Sequence, residues 1–179
     1  MLIDDILTGT AKLLGMKDGE TLDEERKEKL LTGLKHVVSE LAEAYFPLVK
    51  KERLTVRNGF IAYSAFERTP IGITSVSDGK KSVPFKRRFD GIETEGADGY
   101  VDVTYSFEPR PPESGKETEW QGEGVSARIL ELGTATEFCL MCGLEDDAAM
   151  WDKRYRDALE DAVFLRSPKR RIRARRWRL

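Results

Sequence analysis

The amino-acid sequence predicts an α+β fold with N-terminal helices, a central antiparallel β-sheet of four or five strands, a C-terminal helical hairpin and a basic tail. Apolar residues recur every three or four positions before residue 46, alternate with polar residues over 53–107, and return to the helical period after residue 125. This order of periods is typical of α+β proteins. A length of 179 residues suits one domain, which we assign to residues 1–165, followed by the tail at 166–179.

Two helices are predicted in the N-terminal part, over residues 2–14 and 22–46. Thr21 and Glu24 have the spacing of a capping box, in which two side chains satisfy free amides of the first turn. The apolar residues behind them recur at spacings of three and four, which predicts one buried face that ends before Pro47. This apolar stripe consists of Leu30, Leu31, Leu34, Val37, Val38, Leu41 and Tyr45.

The sheet is predicted over residues 53–107. Asn58-Gly59 tolerates the positive φ of a tight hairpin turn between two apolar runs. Pro84 indicates an edge strand or a bulge. From Val101 to Phe107 every second residue is apolar, which predicts a half-buried antiparallel strand. The predicted strands occupy residues 53–56, 60–66, 71–76, 83–89 and 100–107.

Residues 108–124, rich in proline and charge, are predicted to form a linker or an exposed loop. A helical pair follows over residues 125–164, and Gly143 is a suitable C-terminal stop for its first helix. Three carboxylates, Glu145 to Asp147, open the second helix, where the helix dipole favours negative charge. Because the two helices are joined so closely, they should form an antiparallel hairpin. The second helix should bury an aromatic and aliphatic seam that includes Trp151, Tyr155 and Leu159.

Charge is divided unevenly along the chain. Of 30 basic and 32 acidic residues, the basic tail (166–179) contains eight bases and no acid, which leaves 22 bases against 32 acids in residues 1–165. A segment with this charge cannot enter a hydrophobic core, but it can pair with an acidic protein surface or with nucleic acid. Ile172, Trp177 and Leu179 add apolar anchors to the tail.

Several classes of function find no support in the sequence. No apolar run approaches the roughly 20 residues of a membrane helix, and the N-terminus lacks the pattern of a secretory signal. Two cysteines give no disulfide framework, so we expect an intracellular protein. No nucleophile elbow, phosphate loop or dinucleotide fingerprint occurs. We therefore predict no catalytic residue, no metal and no cofactor, and we do not expect an enzyme.

Three isolated features are interpreted as structural. Cys139 and Cys142 fall near the end of a helix, where the dipole disfavours a thiolate, and they lack the further ligands of a zinc site. We expect them to pack as small apolar residues. His36 is expected at the boundary of the apolar stripe. Lys86-Arg87-Arg88 is interpreted as edge-strand charge that discourages aggregation, with a subunit or nucleic-acid contact as the alternative.

The basic tail leaves three alternatives open. As a protein-docking peptide it would insert Trp177 and Leu179 into apolar pockets while its arginines bind carboxylates. As a nucleic-acid arm it would bind phosphates, with an affinity that falls steeply as salt rises. A merely solubilising end would not need its apolar residues. The candidate docking residues are Lys169, Arg170, Arg171, Ile172, Arg173, Arg175, Arg176, Trp177 and Leu179.

The helical pair and the tail also carry a resemblance to a known class. The chain contains Glu137-Phe138-Cys139-Leu140, then Gly143-Leu144-Glu145-Asp146, then Trp151-Asp152-Lys153-Arg154-Tyr155, and near its end Arg175-Arg176-Trp177. Over about 125–179 this pattern resembles the C-terminal part of tailed-phage head–tail connector proteins. These proteins, also called adaptor or neck proteins, occur in many prophages of Gram-positive bacteria.

The resemblance implies a structural virion protein without catalytic activity. Adaptors of this class form rings, often of twelve subunits, below the portal, and DNA passes through the ring without sequence-specific binding. By this analogy the tail docks on the portal protein, the ring presents a platform to the next neck or tail protein, and no membrane is involved. The protein would be located in the virion, and in the host cytoplasm during assembly. The residues expected to pack between subunits are Trp151, Tyr155 and Leu159.

Two rival hypotheses remain from other classes. The chain could be a small nucleic-acid-binding or regulatory protein that uses the basic tail as an arm. Alternatively, the helical pair from Ala127 to Val163 could be a peptide-binding repeat, although no internal repeat with a period near 34 residues supports this hypothesis.

Overall fold

A computed structural model describes residues 1–16, 23–120 and 124–166 of the chain, and it confirms the α+β class. Along the chain, two helices precede the antiparallel strands and two helices follow them. The helices are α1 (Ile3–Leu13), α2 (Glu24–Glu40), α3 (Ala127–Met141) and α4 (Glu145–Arg166). The strands are β1 (Leu48–Val56), β2 (Phe60–Ala62), β3 (Pro70–Ser77), β4 (Phe85–Arg87), β5 (Gly91–Thr94) and β6 (Gly99–Phe107). None of the helices in the described ranges has the length and hydropathy that a membrane span requires.

Helix α2 begins with a different cap from the one that the sequence predicted. The Arg26 amide donates to Asp23 Oδ1 at 2.7 Å, so Asp23 is the N-cap, whereas Thr21 lies outside the described residues. The carboxylate satisfies a free amide and also suits the positive end of the helix dipole. A short π-helical turn, Leu41–Tyr45, continues the helical path to the predicted end before Pro47.

The strands form two three-stranded sheets rather than one sheet of four or five strands. Their orders are β1-β6-β3 and β2-β5-β4, and every pair is antiparallel. The predicted turn is present, since Asn58 has a φ of 54° and Gly59 a φ of 73°. Arg57 and Phe60 exchange two backbone hydrogen bonds of 3.0 Å across it. This turn leads from β1 into β2, which pairs in the second sheet, so it lies at a corner between the sheets.

The prediction missed β5 and began β1 too late. Strand β5 has four residues, too few to show an alternating pattern. Strand β1 begins at Leu48, and its first half contains Lys50, Lys51 and Glu52. Three consecutive charged residues interrupt the apolar–polar alternation from which a strand is predicted. Strand β1 lies at the edge of its sheet, where such charge is compatible with pairing on one side only.

Buried apolar side chains form two clusters, one among the helices and one between the sheets. The loop before α3 joins the helical cluster and is not a simple exposed linker. Trp120 is buried there, and its Nε1 donates to the carbonyl oxygen of Phe46 at 3.0 Å. The Thr118 amide donates to the carbonyl oxygen of Met1 at 2.9 Å. The loop therefore contacts the N-terminus and the end of the α2 helical segment. The assignment of one domain over 1–165 stays a prediction.

Helices α3 and α4 form the predicted hairpin. Ser126 caps α3, since its side chain accepts from the Ile129 amide at 3.4 Å, and the chain reverses at Gly143 with a φ of 71°. Glycine lets α3 approach both of its neighbours closely, because a Cβ on Gly133 would lie 2.9 Å from the Val37 methyl groups and 3.0 Å from Tyr155 Cε2. This close contact sets the spacing of α2, α3 and α4, which line the groove described next.

Candidate partner interface

An open groove with a volume of about 690 Å³ runs between α2, α3 and α4. Its floor contains Gly133, which has no side chain, and Ala148, whose side chain is one methyl group, so room is left between the helices. Its apolar wall includes Leu140, which is 55% exposed. We call this feature the acidic groove. The acids, the arginine and the histidine in its lining are Glu40, Glu137, Glu145, Asp152, Arg156 and His36.

The helical period explains why these polar groups converge. His36 and Glu40 are four positions apart on α2 and therefore share one face. On α4, Glu145, Asp152 and Arg156 follow at intervals of seven and four positions, which again places them along one face. Each helix buries its apolar stripe and turns its polar border toward the groove.

Hydrogen bonds join the walls of the acidic groove. The Tyr155 hydroxyl donates to Glu40 Oε2 at 3.0 Å and links α4 to α2. His36 Nδ1 lies 2.9 Å from Glu137 Oε2 and links α2 to α3. Burial and then the neighbouring Glu40 carboxylate raise the pKa of the Tyr155 hydroxyl well above its usual value. The hydroxyl therefore keeps its proton at neutral pH and donates a hydrogen bond to Glu40.

The acidic groove continues toward the C-terminal end of α4. A second hollow of about 460 Å³ shares Tyr45, Arg156 and Leu159 with the first and adds Glu160, Val163 and Phe164. Phe164 is 79% exposed and Tyr45 is 40% exposed, so this end is apolar and accessible. The combined surface is an apolar trough with acidic edges that ends beside the residues preceding the basic tail.

The charges of this arrangement are suited to binding cationic side chains of a peptide. Five carboxylates face the two hollows, against one arginine and one histidine. A concave surface with this excess of negative charge attracts a positively charged segment. In the described ranges, no group of three or more His, Cys, Asp or Glu side chains is placed to hold a metal ion.

The three residues expected to pack between subunits are buried in the core of their own chain, and their packing against a neighbouring subunit stays a prediction. Trp151, Tyr155 and Leu159 are 7%, 5% and 3% exposed and belong to the helical core of their own chain. They face α2 and α3 because the hairpin turns the apolar stripe of α4 inward, so little of their surface is left for a neighbour. The predicted docking residues from Lys169 to Leu179 all lie outside the described residues.

The cysteines and the histidine differ in their surroundings. Cys139 is buried, and burial raises the pKa of its thiol, as expected for a packing residue. Cys142 is exposed at the C-terminal end of α3, so the expectation of apolar packing was wrong for that residue. His36 lies at the boundary predicted for it, with a side chain that is 57% exposed.

The basic cluster Lys86-Arg87-Arg88 lies at an edge strand, as its interpretation as edge-strand charge predicted. Strand β4 contains Lys86 and Arg87, and among the described strands it pairs with β5 alone. Lys86 Nζ lies 3.0 Å from Glu95 Oε1, and Arg88 Nη2 lies 2.6 Å from Glu93 Oε2. Because acidic partners accompany these charges, the cluster is less available to an external anion than its sequence alone indicates.

Sequence reasoning missed the acidic groove. Its members lie on three helices, and the residues of the His36–Glu137 pair are 101 positions apart. Acidic residues on helix faces are common, so the spacing of Glu145 and Asp152 alone indicates only an exposed face. No protein-family model matches the chain, and no curated protein matches it.

Proposed function

We propose that this chain is a structural subunit of the head–tail connector ring in a tailed phage or prophage particle, where it joins the portal to the next neck or tail protein. The observation that carries the proposal is the division of charge between an acidic body and a basic, tryptophan-containing tail. The resemblance of α3, α4 and the tail to connector proteins supplies the class of assembly.

The acidic body suits the wall of a DNA channel. With 22 bases against 32 acids in residues 1–165, the body repels the phosphate backbone on average. Lys86 and Arg88, which could bind phosphate, have carboxylate partners. A channel protein with these properties lets DNA pass without retaining it.

The basic tail suits a docking element that gains its energy on a partner. Ordering a short peptide costs conformational entropy, which a buried aromatic anchor and arginine–carboxylate hydrogen bonds can offset. Trp177 supplies the anchor and the surrounding arginines supply the hydrogen bonds. In a closed ring, many such contacts act together, so each one can be weak while attachment is strong.

Retention on the portal tests the proposal. The full chain and a chain lacking residues 167–179 are each mixed with the purified portal protein of the genome that encodes the chain, and co-migration is measured by size-exclusion chromatography. We expect the full chain to co-migrate and the shortened chain to elute alone, with the same circular dichroism spectrum and unfolding midpoint. Equal retention of both chains would contradict the proposal.

A parallel titration separates the proposal from the nucleic-acid alternative. Duplex DNA is titrated with both chains at low and at physiological salt. We expect at most weak binding that disappears at physiological salt, because the acidic body opposes it. Tight, tail-dependent binding to DNA at physiological salt, without retention on the portal, would favour the nucleic-acid arm.

A further inference from the structure

We propose that residues 167–179 of the basic tail bind in the acidic groove of their own chain until a partner protein binds them instead. The inference concerns the free subunit and goes beyond the proposed docking on a portal. The tail matches the groove in charge, in length and in the position of its apolar residues.

The charges of the two surfaces are complementary. Residues 167–179 contain seven bases and no acid. The groove and its continuation present Glu40, Glu137, Glu145 and Glu160, together with Asp152, whose Oδ2 already lies 2.8 Å from Arg156 Nε. The other basic or imidazole side chain in the lining is His36. Glu40 accepts from a tyrosine hydroxyl and Glu137 lies beside an imidazole nitrogen, and a carboxylate with one such partner can accept further hydrogen bonds from guanidinium groups.

The tail is long enough to reach the whole groove. The groove extends along α4 from Glu145 to Phe164, and the full helix to Arg166 is about 31 Å long at roughly 1.5 Å per residue. Trp177 follows Arg166 by 11 residues, a reach of about 36 Å in an extended chain at roughly 3.3 Å per residue. Pro168 disfavours continuation of the helix, so the chain can turn back after Arg166.

The apolar surface lies where the tail would need it. Val163 and Phe164 are 38% and 79% exposed in the last turns of α4, beside Tyr45. Leu140 is 55% exposed at the other end of the groove. Ile172, Trp177 and Leu179 in the tail are the apolar groups that could cover this surface. Each end of the trough thus contains an exposed apolar side chain and a carboxylate, which can contact an apolar residue and an arginine of the tail.

Binding within one chain has a functional consequence. A tethered segment has a high effective concentration at its own groove, so even weak contacts keep it bound. A free subunit would then hide its basic residues from nucleic acid and from other acidic surfaces in the cell. A partner with a better pocket for Trp177 would exchange with the groove and release the acidic surface at the same time.

Trypsin cleavage of the tail tests the inference in the full chain. Release of fragments from residues 167–179 is followed by mass spectrometry in the wild type and in two double variants with the same change of charge on α4. Glu145→Gln with Glu160→Gln removes two groove acids, whereas Asp146→Asn with Asp161→Asn removes two exposed acids that do not line either hollow. Unfolding midpoints of all three proteins establish that they are folded.

We expect the wild-type tail to be cleaved at least tenfold more slowly than a free peptide of the same sequence. Cleavage should become about tenfold faster in the groove variant and stay unchanged in the control variant, at any protein concentration. Equal cleavage of the tail and the free peptide would overturn the inference, as would protection that survives the groove variant. Protection that increases with protein concentration would also overturn it, because the groove would then hold the tail of another copy. None of these results decides whether the portal binds the tail.

Discussion

At the scale of single residues, Gly133 determines how closely α3 packs on its neighbours. A Cβ there would lie 2.9 Å from two Val37 methyl groups and 3.0 Å from Tyr155 Cε2, on branched and aromatic side chains that are already buried. Neither neighbour can move away without disturbing the core. We expect Gly133→Ala to lower the free energy of unfolding by about 1–3 kcal/mol, measured by urea denaturation.

Gly9→Ala is the matched control. A Cβ on Gly9 would lie even closer to a neighbour, at 2.3 Å, but that neighbour is the Glu131 carboxylate oxygen at the end of a flexible side chain. The carboxylate can swing away, and alanine favours the helix, so the free energy of unfolding should change by less than about 1 kcal/mol. A larger loss in Gly9→Ala than in Gly133→Ala would contradict this explanation.

The Tyr155 hydroxyl holds α4 against α2 by its bond to Glu40. We expect Tyr155→Phe to cost about 0.5–1.5 kcal/mol in the free energy of unfolding at pH 7, because Glu40 is exposed and regains water. Tyr100→Phe, which alters a side chain that is 70% exposed, is the control and should have no measurable effect. Equal midpoints for Tyr155→Phe and the wild type in urea would show that the bond contributes nothing.

Two buried tyrosines predict a loss of stability in alkali. Burial and a glutamate partner raise the pKa of Tyr155 and of Tyr105, whose hydroxyl donates to Glu52 Oε2 at 2.7 Å. Below about pH 10 both states keep these protons. Above it the unfolded state releases them while the folded state retains them, so stability should fall by about 1.4 kcal/mol per pH unit for each hydroxyl.

Tyr155→Phe should remove one of these two contributions and flatten the decline. Urea midpoints between pH 8 and pH 11 measure it, with the wild type as the reference. The same slope in both proteins would mean that the Tyr155 hydroxyl gains no proton affinity on folding, against the burial and hydrogen bond described above.

At the scale of elements, one arginine joins the loop before α3 to the sheets. Arg68 donates to both oxygens of Glu119, at 2.5 and 3.2 Å, and to the Glu108 carbonyl at 2.7 Å. Its guanidinium also lies 4.7 Å from the centre of the Phe107 ring. The pair is partly shielded, with side chains that are 15% and 23% exposed. A lysine cannot reproduce the forked geometry of these bonds.

Arg68→Lys is therefore expected to lower the free energy of unfolding by about 1.5–3 kcal/mol and to speed hydrogen exchange of amides in the loop. Arg110→Lys is the control, because the Arg110 side chain is 74% exposed and its Nε lies 3.8 Å from Glu119. If both variants exchange like the wild type, the arginine does not hold the loop.

The elements also show how far the sequence could predict this fold. The long apolar period of α2, the hairpin of α3 and α4, and the alternation in β6 are local patterns, and all three predictions are confirmed. The division into two sheets was not predicted, because pairing depends on contacts between strands far apart in the chain. Strand β5 was missed because its four residues carry almost no periodic signal.

The acidic groove could be predicted even less. Each wall is an ordinary polar helix border in the sequence, and only the packing of α2, α3 and α4 brings the borders together. The bond between Tyr155 and Glu40 joins residues 115 positions apart, which a single sequence cannot reveal. By contrast, the charge of the basic tail is plain from the sequence, because it depends on composition alone.

At the scale of the whole molecule, the chain is an acidic body with two apolar clusters and a basic tail. The body presents a trough suited to a basic peptide, and the tail is such a peptide. In the proposed assembly the same tail attaches the ring to the portal, so the groove and the portal compete for one segment. This competition gives a physical reason for a free subunit to remain inactive until a portal is present.

Electron cryo-microscopy of the full chain mixed with the portal protein shows whether the subunits form a ring and where their tails bind. We expect a closed ring of copies beneath the portal, with density for Trp177 and the adjacent arginines in a crevice of the portal. The acidic groove should be free of the tail in those copies. A portal without bound subunits, or a bound ring whose tails all make no contact with the portal, would contradict the proposed function.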